Sequence, residues 1–200
     1  MSKKMIAGLL AVVLVLTTVI GGTLAYLSDK TEAVVNTFTV GNIDIDLTES
    51  TGDSYKMVPG NKYAKDPVVT VGADSEECWL FVKVEEENND IANQQGEKYV
   101  QYAVNAEWKK LEGVDGVNNV WYKEKVAAGS THYVLADNAA MNANGSVTIN
   151  EKITQDDMPL TIDEYPTLTF TAYAVQSANI ETVEAAWEQA KNAAEFSANA

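Results

Sequence analysis

Arginine is absent from this chain of 200 residues, and cysteine and histidine occur once each, as Cys78 and His132. Proteins that recognise nucleic acid need basic, usually arginine-rich surfaces, whereas this chain has 29 acidic residues and 14 lysines, for a formal charge of −15. The composition therefore excludes nucleic acid as a partner and disfavours an anionic membrane surface. A single cysteine cannot form an intramolecular disulfide, so the folded domain must be held together by its core.

The first 25 residues have the pattern of a secretory signal peptide. Two lysines precede an apolar run over residues 5–20, and small residues follow as far as Ala25. We predict that signal peptidase cuts between Ala25 and Tyr26, so that the protein is secreted and meets the membrane only transiently. Removal of residues 1–25 makes the formal charge two units more negative, because they hold two lysines and no acidic residue. The alternative is a retained anchor, since residues 5–27 could span a bilayer.

Alternating apolar and polar residues predict β-strands through most of the remaining chain. We expect an extended segment over residues 26–37 and one domain over residues 38–200. The strongest strand patterns cover residues 43–47, 68–71, 79–84, 99–104, 120–126, 132–135, 147–153 and 168–175. Residues 79–84 are apolar on both faces, which is typical of a central strand. Many short strands predict a mainly all-β fold, a jelly-roll-like β-sandwich.

The end of the chain has a different period. Apolar residues recur at helical spacing over residues 180–196, among good helix formers. We predict one C-terminal helix in this segment, docking onto the sandwich through Trp187.

A family resemblance begins at residue 22. Residues 22–47 read GTLAYLSDKTEAVVNTFTVGNIDIDL and are similar to the start of the TasA/camelysin family of secreted Gram-positive proteins, in which a dedicated signal peptidase cuts before a Ser-Asp segment. Residues 58–85 (VPGNKYAKDPVVTVGADSEECWLFVKVE) and residues 168–176 (LTFTAYAVQ) are similar to later strands of the family. Residues 88–165 carry no such likeness, so any divergence in role is expected there.

This resemblance implies a jelly-roll sandwich that serves as a structural subunit of extracellular fibres, in biofilm matrix or on the cell surface. The implied partners are further copies of the chain and related matrix proteins. It also implies assembly by strand donation, in which an N-terminal segment completes the sheet of the next subunit.

The N-terminal segment suits strand donation. Residues 26–40 contain no proline or glycine, and Val34, Val35 and Phe38 supply apolar side chains for a neighbour's groove. The alternative is that residues 30–40 form the first strand of their own sheet. We weigh both for residues 30–36 and prefer the domain's own strand for residues 38–47.

Catalysis is not expected, although the camelysin branch carries a metalloprotease label. Zinc proteases of the common type need two histidines four residues apart on a helix. His132 stands alone in a predicted strand, and Cys78 lies in a strand that looks buried, where a thiol is inert. We therefore assign no catalytic, cofactor-binding or metal-binding residues, and a camelysin-like protease remains only an alternative.

A role as an accessory surface protein that binds a cation or a glycan is the other alternative. Asp44 and Asp46 share a strand face, but the spacing of a calcium loop does not occur, which leaves weak Ca²⁺ bridging between subunits. The four tryptophans are scattered and are expected in the core. An exposed aromatic pair that includes Trp108 or Trp121 would favour glycan binding.

Overall fold

The computed structural model describes residues 42–198, apart from positions 53, 92, 93, 95, 142 and 160. Within this part the chain forms ten strands and one α-helix, α1 (Val183–Ala198). The strands are β1 (Ile45–Thr48), β2 (Lys62–Ala64), β3 (Val68–Val71), β4 (Cys78–Glu87), β5 (Val100–Tyr102), β6 (Lys109–Lys110), β7 (Val120–Val126), β8 (Thr131–Tyr133), β9 (Ser146–Ile149) and β10 (Thr167–Gln176).

The strands form three antiparallel sheets. Their orders are β1-β3-β8, β10-β4-β7-β6 and β2-β9-β5. The main core packs residues of all three sheets together, with β3 and β4 contributing most of its fully buried side chains. Its buried members are Val69, Val71, Cys78, Leu80, Val82, Val84, Trp108, Val126, Val134, Leu135 and Val147. The predicted all-β sandwich with a C-terminal helix is confirmed.

Strand β4 is the central strand, as its two apolar faces predict. It pairs with β10 on one side and β7 on the other. Leu80, Val82 and Val84 point into the main core, whereas Trp79 and Phe81 point to the opposite face of the sheet. Each of these side chains stabilises the fold by roughly 1.5–3 kcal/mol if it is fully buried.

Helix α1 covers the outer face of β4 and docks through Trp187, as predicted. The Trp187 ring lies 5.3 Å from the Phe81 ring and 5.3 Å from the Tyr173 ring, measured between centroids. The helix begins at Val183 rather than at residue 180, because Thr182 accepts the Ala185 N–H through its hydroxyl oxygen at 3.3 Å.

The sequence patterns missed two short strands, β2 and β6, which have three and two residues. Strand β6 has only two residues, both exposed lysines, so it carries no apolar alternation. Strand β9 ends at Ile149 rather than at residue 153, because the Asn150 side chain caps a turn by accepting the Lys152 N–H at 2.9 Å.

Candidate functional site

The residues predicted to act in processing and assembly lie outside the described residues. These are Ala25, Tyr26, Val34, Val35 and Phe38. Their predicted roles therefore remain predictions. Strand β1 begins at Ile45 and pairs with β3 of its own domain. Of residues 38–47, the part that forms β1 therefore belongs to the domain's own sheet, as preferred above.

The structure does describe a surface that could accept a donated strand. Strands β1 and β10 are edge strands of different sheets and lie beside each other without a hydrogen-bonded ladder between them. Both edges carry apolar side chains that pack against the main core but stay half-exposed. We call this surface the seam. It consists of Ile45 and Leu47 in β1, Ile43 two residues before β1, and Leu168, Phe170, Ala172 and Ala174 in β10.

Within the described residues, the outer backbone groups of both edge strands also have no partner at the seam residues. Ser177 N–H donates to Glu77 C=O at 2.9 Å, and in the antiparallel register this turns the N–H groups of the even-numbered β10 residues away from β4. Gly72 N–H donates to Asp44 C=O at 2.8 Å, which likewise leaves the N–H groups of Ile45 and Leu47 unpaired by β3. Among the described residues, none hydrogen bonds to the outer edge of either strand.

A buried lysine stands against the β10 side of the seam. Lys65 is 8% exposed, and its ammonium lies 2.8 Å from each carboxylate oxygen of Glu49. The same ammonium lies 5.5 Å from the ring centroids of Phe170 and Tyr55. The ion pair and the two cation–π contacts hold the Phe170 ring in place beside the segment that follows β1.

The loop after β1 is tied down by a single carboxylate. Asp66 accepts hydrogen bonds from the N–H and hydroxyl groups of both Ser50 and Thr51, at 2.6 to 3.1 Å. Partial burial opposes ionisation of Asp66, but these hydrogen bonds outweigh it and lower the pKa of the carboxyl. The carboxylate therefore stays charged and fixes this loop beside the seam.

His132 and Cys78 do not fit a zinc-protease centre. The two ring nitrogens of His132 lie 3.0 Å from the ammonium of Lys123 and 3.0 Å from the hydroxyl of Ser130, so a cation already faces one of them. Burial, with a smaller contribution from Glu77, raises the pKa of the Cys78 thiol to about 11, and the predicted buried position of this residue is confirmed. Within the part of the chain that the structure describes, no three His, Cys, Asp or Glu side chains cluster to hold a metal ion.

The sequence patterns found the strands that border the seam but not the seam itself. Neither the order of strands in a sheet nor the identity of edge strands can be derived from apolar alternation, so β10 was expected only as a late strand. The one signal available was composition: the ten residues of β10 (TLTFTAYAVQ) include no charged residue, which is unusual for a long edge strand.

Among the described residues, the fold is therefore an antiparallel β-sandwich in which the edge strands β1 and β10 border the seam. Comparison with protein families gives a match to the family described as camelysin metallo-endopeptidase, over residues 1–72. This match confirms the resemblance to the TasA/camelysin family in the N-terminal part of the chain. None of the curated proteins compared with the chain gives a match. No helix among the described residues is long and apolar enough to cross a membrane.

Proposed function

We propose that this protein is a secreted, non-enzymatic structural subunit of extracellular fibres, in biofilm matrix or on the cell surface. Its segment 1–25 directs export and is removed by signal peptidase. The observation that carries the proposal is the seam, where two neighbouring edge strands leave apolar side chains half-exposed and backbone groups unpaired. The camelysin-family match supports it, because residues 1–72 include both the signal segment and the proposed donor strand.

In the proposed mechanism, residues 30–38 of one copy pair with the free edge of β10 in the next copy. Main-chain hydrogen bonds supply affinity, while Val34, Val35 and Phe38 pack against seam side chains such as Phe170. A donor segment that pairs with the β10 of another copy, and not with its own, makes a head-to-tail contact that does not close. Repetition of such a contact generates a filament.

The donor half of the proposal is tested with Val35→Asp in residues 26–200. A carboxylate buried in the apolar seam is costly, so this variant should remain folded but form no polymers. Light scattering and negative-stain microscopy measure assembly, and circular dichroism checks the fold. Thr31→Asp adds the same charge at a polar position and should still polymerise. Polymers from Val35→Asp under conditions where wild type assembles would contradict strand donation.

The acceptor half is tested with Ala172→Pro. Its N–H is turned away from β4, so proline removes a group at the free edge while sparing the β4 ladder. We expect monomers, whereas Ala172→Ser keeps the N–H and should polymerise. Mixing Ala172→Pro with Val35→Asp pairs one intact donor with one intact seam. The mixture should stop at heterodimers, and long polymers from it would contradict the proposed polarity.

The rate of polymerisation should depend on the salt concentration and on calcium. Copies of a chain with a formal charge of −15 repel each other, so raising NaCl should accelerate polymerisation by screening. We further propose weak Ca²⁺ bridging between copies, which would make CaCl₂ more effective than NaCl at equal ionic strength. Wild-type monomers under every one of these conditions would contradict the fibre proposal and favour an accessory surface protein.

A further inference from the structure

An open cavity of about 400 Å³ lies between β5 and the start of β7. Its size is within the range of small-molecule sites, about 300–1,000 Å³. The lining residues are Glu86, Lys98, Val100, Gln101, Tyr102, Val104, Asn119 and Trp121. Three of the four tryptophans are buried, with exposed fractions of 7% or less, whereas Trp121 is half-buried and borders this cavity. The cavity therefore pairs an accessible indole with the phenol of Tyr102.

One side of the cavity is held rigidly by the Glu86 carboxylate. It accepts hydrogen bonds from the Tyr102 hydroxyl at 2.8 Å and the Asn89 amide at 2.9 Å, and it lies 3.2 Å from the Lys98 ammonium. Burial opposes ionisation of Glu86, but these three partners outweigh burial and lower the pKa of the carboxyl. Lys98 also forms an ion pair with Asp90 at 2.8 Å, so its charge is balanced by two carboxylates.

The other side of the cavity is lined by Gln101, which is exposed, and by Asn119 and Trp121, which are half-buried. Their side-chain amides and indole N–H form no hydrogen bond with any described residue. Asn119 occupies a left-handed backbone conformation, with φ of 54°, directly before β7. Two amides and a half-buried indole therefore border a cavity whose charged groups, Glu86 and Lys98, are already paired with each other.

We propose that this cavity binds a neutral sugar unit of a glycan. Sugar hydroxyls both donate and accept, which matches free amides that offer both functions, and the apolar face of a sugar ring packs on an indole. An anionic ligand would meet the carboxylate of Glu86, and a cationic ligand would meet the ammonium of Lys98. A purely apolar ligand would leave the amides unsatisfied, which is costly. This binding activity goes beyond fibre formation and does not depend on it.

The test titrates the exported protein with oligosaccharides of N-acetylglucosamine, glucose and galactose, together with an anionic galacturonate oligomer. The nuclear magnetic resonance signal of the Trp121 indole N–H reports binding at the cavity. We expect a saturable shift with at least one neutral oligosaccharide. Gln101→Ala and Asn119→Gly should each raise its Kd about tenfold, which corresponds to roughly 1.4 kcal/mol.

Two matched variants control for these substitutions. Asn179→Gly removes an amide at another left-handed position, with φ of 62°, and Gln189→Ala removes an amide from the exposed face of α1. Both should bind with unchanged Kd. The proposal is overturned if none of the neutral sugars shifts the Trp121 signal, if the control variants weaken binding equally, or if galacturonate binds more tightly than the neutral sugars.

Discussion

The side-chain amide of Asn89 hydrogen bonds both backbone groups of Val100. Its Oδ1 accepts the Val100 N–H at 2.8 Å, and its Nδ2 donates to the Val100 C=O at 3.0 Å. Val100 lies in β5, an edge strand, so the amide takes the place that a neighbouring strand would occupy. The outer edge of β5 is thus occupied at Val100, whereas no described residue hydrogen bonds to the outer edge of β10. This contrast is consistent with the proposal that a donated strand adds at the seam.

Replacement of Asn89 should destabilise the fold. Asn89 is 3% exposed, and Asn89→Ala leaves the Val100 N–H without its partner and removes one of the three donors to Glu86, at a cost of about 1–3 kcal/mol. Asn89→Asp should cost more at neutral pH, because its carboxylate faces Glu86 and cannot donate. Urea unfolding measures both effects. Asn118→Ala, at an exposed position, is the control, and equal stability of Asn89→Ala and this control would contradict the bridging role.

Trp187 should contribute more to stability through its ring than through its indole N–H. Trp187→Ala removes the contacts with Phe81 and Tyr173 and should cost about 3–5 kcal/mol. Trp187→Phe should cost clearly less, because the indole N–H is buried without a hydrogen-bond partner, so no hydrogen bond is lost. Thermal and urea unfolding compare the two. Equal losses from both variants would mean that the indole nitrogen has a partner in solution.

Gly145 allows two backbone segments to approach closely. A Cβ on this residue would lie 2.2 Å from the carbonyl oxygen of Lys65, and Gly145 C=O also accepts the Lys65 N–H at 3.1 Å. Gly145→Ala must therefore shift the backbone that carries Lys65, and we expect a loss of more than about 4 kcal/mol or failure to fold.

The control for this substitution is Gly113→Ala. Gly113 has φ of 79° and no other atom within 4 Å of an added Cβ, so only left-handed strain of about 1–2 kcal/mol applies. Soluble expression and urea unfolding rank the two variants. If Gly113→Ala were as damaging as Gly145→Ala, close approach to Lys65 would not explain the glycine.

Local patterns predicted the elements whose signal is strong and continuous. The apolar run of β4 was sufficient to predict a central strand, because a strand buried on both faces is apolar at every position. The helical spacing around Trp187 was sufficient to predict a docked helix, because such a helix buries one stripe of apolar residues. The glycine-rich and asparagine-rich stretches between strands were expected only as connections. They nevertheless position Asn89 and Asn119, whose contacts depend on residues distant in sequence.

Features that depend on which strands become neighbours could not be predicted in the same way. The seam needs β1 and β10 to end their sheets side by side, and they are separated by most of the domain. Glu86 lies in an acidic run, residues 85–87, yet it is half-buried and its carboxylate accepts the Tyr102 hydroxyl across two sheets. Sequence alternation identifies the faces of a strand but not its partners.

The final prediction concerns pH and His132. Burial and then the Lys123 ammonium lower the pKa of the imidazole, while Glu107, paired with Lys123 at 2.7 Å, offsets part of this effect. The folded protein therefore keeps His132 neutral under conditions where the unfolded chain, with an ordinary pKa of about 6.5, takes up a proton. Neutral His132 therefore contributes its full share of the folding free energy above about pH 6.5, the pKa in the unfolded chain. This contribution is lost as the pH falls through the lowered pKa of the folded protein.

Urea unfolding between about pH 7.5 and about pH 5.5 isolates this histidine, because the carboxyls with lowered pKa values titrate below about pH 4.5. Wild type should lose stability over this interval, with a slope of at most about 1.4 kcal/mol per pH unit. His132→Gln keeps a neutral polar side chain beside Lys123 and Ser130, and should flatten the profile. An unchanged slope in that variant would place the titrating group elsewhere, because the chain has no second histidine to replace it.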